Sequence, residues 1–456
     1  MAILKNFTKA DRLWFWTVVL LFGLTVGAFY PGFMGNDEID QYAQAKNQYY
    51  TGWHPPVMSW LWNKLLWFSD GPAGMLVFQN LCFWSGVLLL GFLAGGLYSR
   101  LVLLFFSLMP PVISQLGSVT KDTGMSVTLF LACAVALTLR ERRWALRSVT
   151  GAAAAVLCLL SLLYAVSVRW DAVTAIFPVC FLAAWAFAKS GRRLWPGTGL
   201  LLFAVLLLLR SLIFHALVAK DQRVDIRQAL EIFDLAGISV REHKSLMPVY
   251  LQDRGVDMKM IQDAYSPETN SPLMYESKKM AMPLTKSPAY LHELDTAWIG
   301  AVRAHPVSYL GHRFRCFMSF LRLTENRSYL PYRCGIPGND LGLTFNMKRF
   351  SIEMYLRYMQ MSSDTLFFRP YVYLLLCLAL FVLGMFQVSC GNHQAISAAL
   401  IAMSGGMYLS FLFFYGLASD FRYAYWAVLA SGLSLFLSLC EWSKLSKTNG
   451  GTRDAS

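Results

Sequence analysis

Apolar runs of about 18 to 22 residues recur along this chain, the length needed to cross the hydrocarbon core of a bilayer. The candidate spans are 13–31, 74–97, 101–118, 123–139, 149–167, 172–188, 196–218, 370–389, 395–416 and 424–441. They predict an all-α polytopic membrane protein of about ten transmembrane helices. Pro110, Pro111 and Pro178 fall inside spans, where they kink helices packed on neighbours. Composition agrees. The 456 residues are 56% hydrophobic and 15% charged, whereas a soluble domain carries roughly 25% charged residues. The first apolar run has no small-residue cleavage site and reads as an anchor rather than a removable leader.

The net charge of +13 is therefore assigned to membrane-facing loops, lipid headgroups and an anionic substrate, not to nucleic acid. The positive-inside rule places Lys5, Lys9 and Arg12 in the cytoplasm. Ten spans then put Arg100, the run Arg140 to Arg147, Lys189 with Arg192 and Arg193, and the tail with Lys444 and Lys447 on that same side. The opposite loops receive Asp37, Glu38, Asp40, Asp70, Asp122, Asp171 and Asp420. Both termini are expected in the cytoplasm of an inner-membrane protein, with any active site outside. Four sections follow: a membrane bundle (1–218), an extracytoplasmic, mainly helical lobe (219–368), C-terminal membrane helices (369–442) and a short disordered tail (443–456).

Every unusual polar motif lands on the outer side: Asn-Asp-Glu-Ile-Asp (36–40), Trp-His-Pro-Pro (53–56), Thr-Lys-Asp (120–122), Val-Arg-Trp-Asp (168–171) and Ser-Asp-Phe-Arg-Tyr (419–423). Asp37, Gln41, Gln44 and Gln48 share one helical face, which sets a carboxylate at the top of a polar stripe where a span ends. That suits a catalytic base at the membrane surface; an ordinary solvated loop is the other reading. Lys121, Arg169 and Arg422 each close or open a span beside an acid (Asp122, Asp171, Asp420). Local ion pairing accounts for each singly, and three cations on one face suit phosphate binding. Arg210 is the main charge within the spans and is placed to snorkel. Spans so poor in charge argue against ion or solute transport.

Two pieces of the lobe, 222–237 and 295–322, have helical character. In the second, Val307, Leu310, Phe314, Phe317, Met318 and Leu321 recur at helical spacing, and His312, Arg313, Arg315 and Arg322 form a basic side. It reads either as an interfacial amphipathic helix or as a helix packed on the bundle with a solvated face. The stretches 266–288 and 328–345 read as loops. Asn326-Arg327-Ser328 matches a glycosylation sequon, which a bacterial chain would not ordinarily use. Six of nine cysteines lie in apolar runs and read as packing residues, while Cys316 and Cys334 are placed to form a disulfide in an oxidising compartment. No Cys or His cluster has metal-site spacing, and no cofactor is called for; a divalent metal is compatible with the chemistry but unsupported by the residues.

An Asp-Glu pair just after the first span, followed by Trp-His-Pro-Pro entering the next helix, resembles the type C (GT-C) superfamily of membrane glycosyltransferases. Lipid A aminoarabinose transferases and protein O-mannosyltransferases are among its members. Lys121-Asp122, Asp420-Phe-Arg-Tyr423 and Ala-His-Pro-Val-Ser-Tyr-Leu-Gly-His-Arg-Phe (304–314) are also similar to bacterial members. There is no Trp-Trp-Asp-Tyr-Gly-like motif, so the oligosaccharyltransferase branch does not fit. The resemblance implies a polyprenyl-phosphate sugar as donor and a cell-envelope glycan or glycolipid as acceptor, with inversion at the anomeric centre. By position it implies Asp37 as general base, with Glu38 orienting it or sharing the role. Lys121, Arg169 and Arg422 would hold the leaving phosphate, and Arg313 and Arg315 a headgroup or diphosphate. His54 would fix its turn or hydrogen-bond Asp37. A polysaccharide polymerase or ligase is the second expectation, and a lipid-linked sugar flippase the third.

Overall fold

A computed structural model describes residues 8–141, 148–188, 195–274, 282, 284–325 and 328–450, with side chains to Cys440 in the last stretch. Lys5, Arg142, Arg143, Arg147, Lys189, Arg192, Arg193, Asn326, Arg327 and the side chains of Lys444 and Lys447 lie outside the described part. Among the described residues the regular structure is helical, with only isolated β-bridges.

Eight helices are long and apolar enough to cross a membrane: Lys9–Phe29, Ala73–Ala94, Lys121–Glu141, Val149–Val168, Trp195–Leu217, Pro370–Ser389, His393–Tyr415 and Phe421–Cys440. This is the build of a polytopic membrane protein. The other two apolar runs take different forms. The run 101–118 is a bent pair, Leu97–Ser107 and Pro110–Leu116, at 61° to each other. Pro110 and Pro111 have no N–H to continue the first helix but fit the opening of the second, so the chain breaks just before them. The run 172–188 is a helix of 16 residues, Ala172–Phe187, shorter than the ~20 that a full crossing needs.

Lys121–Glu141 is the axis of the bundle, buried from Asp122 to Leu139. Small residues line it (Thr123, Gly124, Ser126, Ala132, Ala134, Ala136), so neighbours approach closely on every side. Its hydroxyls do not stay unpaired in apolar surroundings. Ser126 and Thr128 donate to the carbonyls of Asp122 and Gly124 at 2.8 and 2.7 Å. The Leu-rich helix Trp195–Leu217 stands at the rim, its apolar side chains largely uncovered by protein. Arg210 sits near its end with the guanidinium 4.9 Å from the Trp170 ring centroid.

A second core gathers Ile232, Phe233, Leu235, Met247, Leu251, Leu273 and Leu294. It is built on Arg227–Glu242 against Pro288–Ala304 and Pro306–Phe320. The expected helix 295–322 is thus two helices, interrupted where Pro306 follows His305. This core ends near Cys316. Phe320, Leu321, Ile352, Tyr355 and Met359 instead join the main core, so the last third of 219–368 packs on the membrane helices. The stretch 328–345 is a loop, and 266–274 contains only the turn Ser271–Met274. At the C-terminus the helix Tyr425–Gly450 continues past Trp442, where a disordered tail was expected.

Two expectations for this region fail. In Pro306–Phe320 the apolar Val307, Leu310 and Phe314 point outward, while His312 and Arg313 are wholly buried. Their partner is Asp234 on Arg227–Glu242, which draws the basic side inward. Cys316 and Cys334 are both free thiols. Cys316 packs beside His312, and Cys334 lies 3.8 Å from the Met347 sulfur.

Candidate active site

Helix Asn36–Asn47 opens after Gly35. Glu38, at its third position, accepts the Gly35 N–H at 2.8 Å and so supplies one half of a capping arrangement. The helix ends at Gln48, which adopts a left-handed conformation with φ 51°. Asp37 therefore sits in the first turn, where the helix dipole favours a carboxylate. Of the expected polar stripe only Gln48, which lies past the helix end, is exposed below Asp37. Gln41 and Gln44 are buried, and Gln44 donates to Asp40 at 2.7 Å.

Four other helix ends converge on this turn. Lys121 begins the axial helix and points its ammonium at Asp37 Oδ2 (3.4 Å) and His54 Nδ1 (3.1 Å). Lysine only donates, so Nδ1 is the acceptor and the imidazole proton lies on Nε2, which faces Asp40 at 3.5 Å. His54 thus bridges Lys121 and Asp40 and does not hydrogen-bond Asp37. Burial, with Lys121 beside it, pushes its pKa down to about 3. Arg169, at the end of Val149–Val168, is ion-paired to Asp122 and chelates Asp171, with Nε 2.7 Å from Oδ1. Asp420 caps the turn Phe421–Ala424 by accepting the Arg422 N–H at 3.2 Å.

Arg422 is the hub. Its guanidinium faces Asp420 (2.9 Å), Glu38 (3.4 Å), Asp37 (3.5 Å) and Asp122 (3.7 Å). The Tyr423 ring lies 5.0 Å from the Arg169 guanidinium and 5.1 Å from that of Arg422, close enough for cation–π contact with both. The pKa of Asp37 reflects opposing effects. Burial pushes it up, and Lys121 with Arg422 hold it well below the usual carboxylate range.

The network borders a cavity of about 870 Å³. Asp37, Asp40, His54, Asp420 and Arg422 line it; Glu38, Lys121, Asp122, Arg169 and Asp171 stand behind its wall. Ten of the residues singled out in the sequence thus come together, from segments up to 385 positions apart. They divide into two ranks. Glu38 is fully buried between Gly35, Arg333 and Arg422, which suits it to hold cations rather than to share a base role. Arg169 is already chelated by two carboxylates. Arg313 and Arg315 belong elsewhere: Arg313 is sealed in the second core, and Arg315 is exposed beyond it.

Arg333 is the site residue that sequence reasoning missed. It lines the cavity and bridges Glu38 (3.1 Å) to Asp420 (3.0 Å). Its loop is strapped to both sides of the site. Met34 N–H donates to the Gly335 carbonyl (3.0 Å) and Phe421 N–H to that of Leu330 (3.1 Å). Space for the guanidinium depends on Gly35, because a Cβ there would lie 2.0 Å from Arg333 Nη1. Nothing periodic marks an arginine in a loop; its only signal is being a lone cation in a polar stretch between acidic motifs. Six carboxylates and four cations thus meet here. Among the described residues no group of three or more His, Cys, Asp or Glu is arranged to hold a metal.

Comparison with family models, with curated proteins and with solved structures gives no match.

Proposed function

We propose that the chain is an inverting membrane glycosyltransferase. It moves a sugar from a polyprenyl-phosphate donor to a glycan or glycolipid hydroxyl at the extracytoplasmic face. The observation that carries this reading is that one cavity is lined both by a carboxylate held ionised and by two arginines, each shared among several carboxylates rather than chelated by one. These are Asp37, Arg333 and Arg422. The site stands at the ends of spans, where a membrane-anchored phosphate would present itself, and the motif order resembles that of GT-C enzymes.

The chemistry follows from these groups. The acceptor oxygen attacks the anomeric carbon, and its proton passes to an Asp37 oxygen. The bond from that carbon to the phosphate oxygen breaks with both electrons going to phosphate, whose growing charge meets Arg422 and Arg333. In the resting site Asp37 is a weak base, because its cations stabilise the charged form. A donor phosphate competes for Arg422, whose contacts to Asp37 and Glu38 are long. Withdrawing that cation and placing the phosphodiester's negative charge nearby raises Asp37 toward a useful base strength. The donor is therefore expected to bind first.

The test is transfer in liposomes from a radiolabelled panel of polyprenyl-phosphate sugars to membrane glycolipids, with wild type and Asp37→Asn in parallel. Label reaching an acceptor with wild type alone supports the reading and names the sugar. Products of graded chain length favour the polymerase. Donor that crosses the bilayer intact, with no bond broken, favours the flippase.

A further inference from the structure

The cavity lining also holds uncharged residues that are not part of the ion network. We propose that this part of the lining is a subsite for an uncharged oligosaccharide, with Trp53 as its stacking platform and the hydroxyls of Thr51, Thr269, Ser271, Thr285 and Ser328 as its hydrogen-bonding face. All six residues line the cavity. They come from separate segments. Thr51 and Trp53 lie on the connection between the site helix and Pro56–Leu65. Thr269 and Ser271 lie on a stretch tied to the last membrane loop, through a bridge from Thr269 to Ala418 and an Asn270 N–H donated to Leu417 O at 2.8 Å. Thr285 is fixed through its backbone, which exchanges two hydrogen bonds with the buried Gln228 side chain at 2.8 and 3.0 Å.

The chemistry selects the ligand. A hydroxyl both donates and accepts, as a sugar hydroxyl does, and it carries no charge. Thr51 accepts from Gln44 Nε2 (3.2 Å) and Thr285 from the Ser287 N–H (3.1 Å). Each is thereby held in one place with its own O–H left to donate. Among the described residues the cation beside these hydroxyls is Lys286, which is turned to the Asp221 carbonyl at 2.7 Å. Trp53 is half-buried and borders the cavity, presenting a flat apolar surface and one N–H donor in a wet space. The axial C–H face of a pyranose matches such a surface, and its equatorial hydroxyls match the rim around it. Among the described residues of this part of the lining a phosphate or nucleotide would find no cation turned toward it, and an apolar chain would give the Thr51 and Thr285 hydroxyls no acceptor. At about 870 Å³ the space falls at the upper end of ligand pockets and leaves room for sugar units of an oligosaccharide beside a donor's sugar phosphate.

Calling this ligand the acceptor rests on the transferase reading; that it is a glycan does not. The experiment uses the full chain in nanodiscs, because maltoside detergents carry sugar of their own. Saturation-transfer NMR is recorded with free glucose, mannose and N-acetylglucosamine and with their di- to tetrasaccharides. The expected result is contact that strengthens at least tenfold from mono- to trisaccharide. Trp53→Leu and Thr269→Val with Ser271→Ala should each weaken it tenfold or more, and Trp53→Phe should restore it. Binding no stronger for oligosaccharide than for monosaccharide overturns the proposal, as does binding indifferent to Trp53. In the transfer assay, Trp53→Leu should raise the acceptor KM and leave the donor KM unchanged. Trp53-dependent binding in a protein that never cleaves a donor keeps the subsite and removes the transferase. Transfer with an acceptor KM unmoved by Trp53→Leu does the reverse.

Discussion

Two clusters of buried charge can be set side by side. In the second core, Asp234 accepts from Trp298 Nε1 (2.9 Å), faces His312 Nε2 (3.3 Å) and pairs with Arg313 Nε (2.7 Å). Tyr265 and the His312 Nδ1 lie 2.8 Å apart, and Arg313 also donates to the Gly416 carbonyl at 3.0 Å. One acid meets one guanidinium, and Asp234, His312 and Arg313 are all shielded from solvent. The cavity cluster differs in each respect. Its acids outnumber its cations, its contacts to Asp37 are 3.4 and 3.5 Å, and Asp37 opens to water. A balanced, closed cluster resists change. An unbalanced one that borders open space is arranged to exchange partners, and under the proposed reading the incoming partner is a donor phosphate.

Several substitutions separate the two clusters. The largest effect belongs to Asp37→Asn, which should lower transfer by about 10²–10⁴-fold. It also takes the carboxylate partner from Lys121, so Tm should fall modestly; loss of folded protein, rather than a folded but inactive variant, would assign Asp37 to structure. Arg313→Met reverses the pattern. It strands Asp234 in a closed core and should cost about 3–5 kcal/mol in stability. Thermal unfolding in detergent measures it, and an unchanged Tm would show the second cluster to be less closed than described. Arg333→Gln should raise the donor KM about tenfold, equivalent to about 1.4 kcal/mol, with kcat less affected. A change confined to the acceptor KM would remove Arg333 from the phosphate.

The last effect is spread along the pH axis and concerns acid. His54 has a folded-state pKa of about 3, below its unfolded value. As pH falls below 6.5 the unfolded chain takes up a proton that the folded chain refuses. Stability therefore drops by up to about 1.4 kcal/mol per pH unit until about pH 3. His54→Gln should flatten the Tm profile between pH 6 and 4; a profile as steep as wild type would place the acid lability elsewhere.

What was legible in the sequence follows from what is local. Long apolar runs mark helices wherever they fall, so all ten segments are helical; only local backbone chemistry turned one into a bent pair and left another short. Asp37, His54, Lys121, Asp122, Arg169, Asp171, Asp420 and Arg422 stood out because each borders an apolar run, where a charge is conspicuous. Their division of labour was not legible. Arg169 and Arg422 look alike in sequence, yet one is chelated by Asp122 and Asp171 and the other faces the cavity. Arg313 counted as surface charge because its partner, Asp234, lies 79 positions away on another helix. Arg333 had no apolar border to set it off.

Gly35 carries no charge and makes no contact with the cavity's contents, yet the field inside the cavity depends on it. The Arg333 guanidinium occupies the volume that any side chain at position 35 would need. A single methyl group there would force the Arg333 guanidinium to move aside and loosen its bridge between Glu38 and Asp420, leaving Arg422 to hold both acids. Electrostatics at this site is first a question of room, and the residue that settles it is the one with nothing to offer but space.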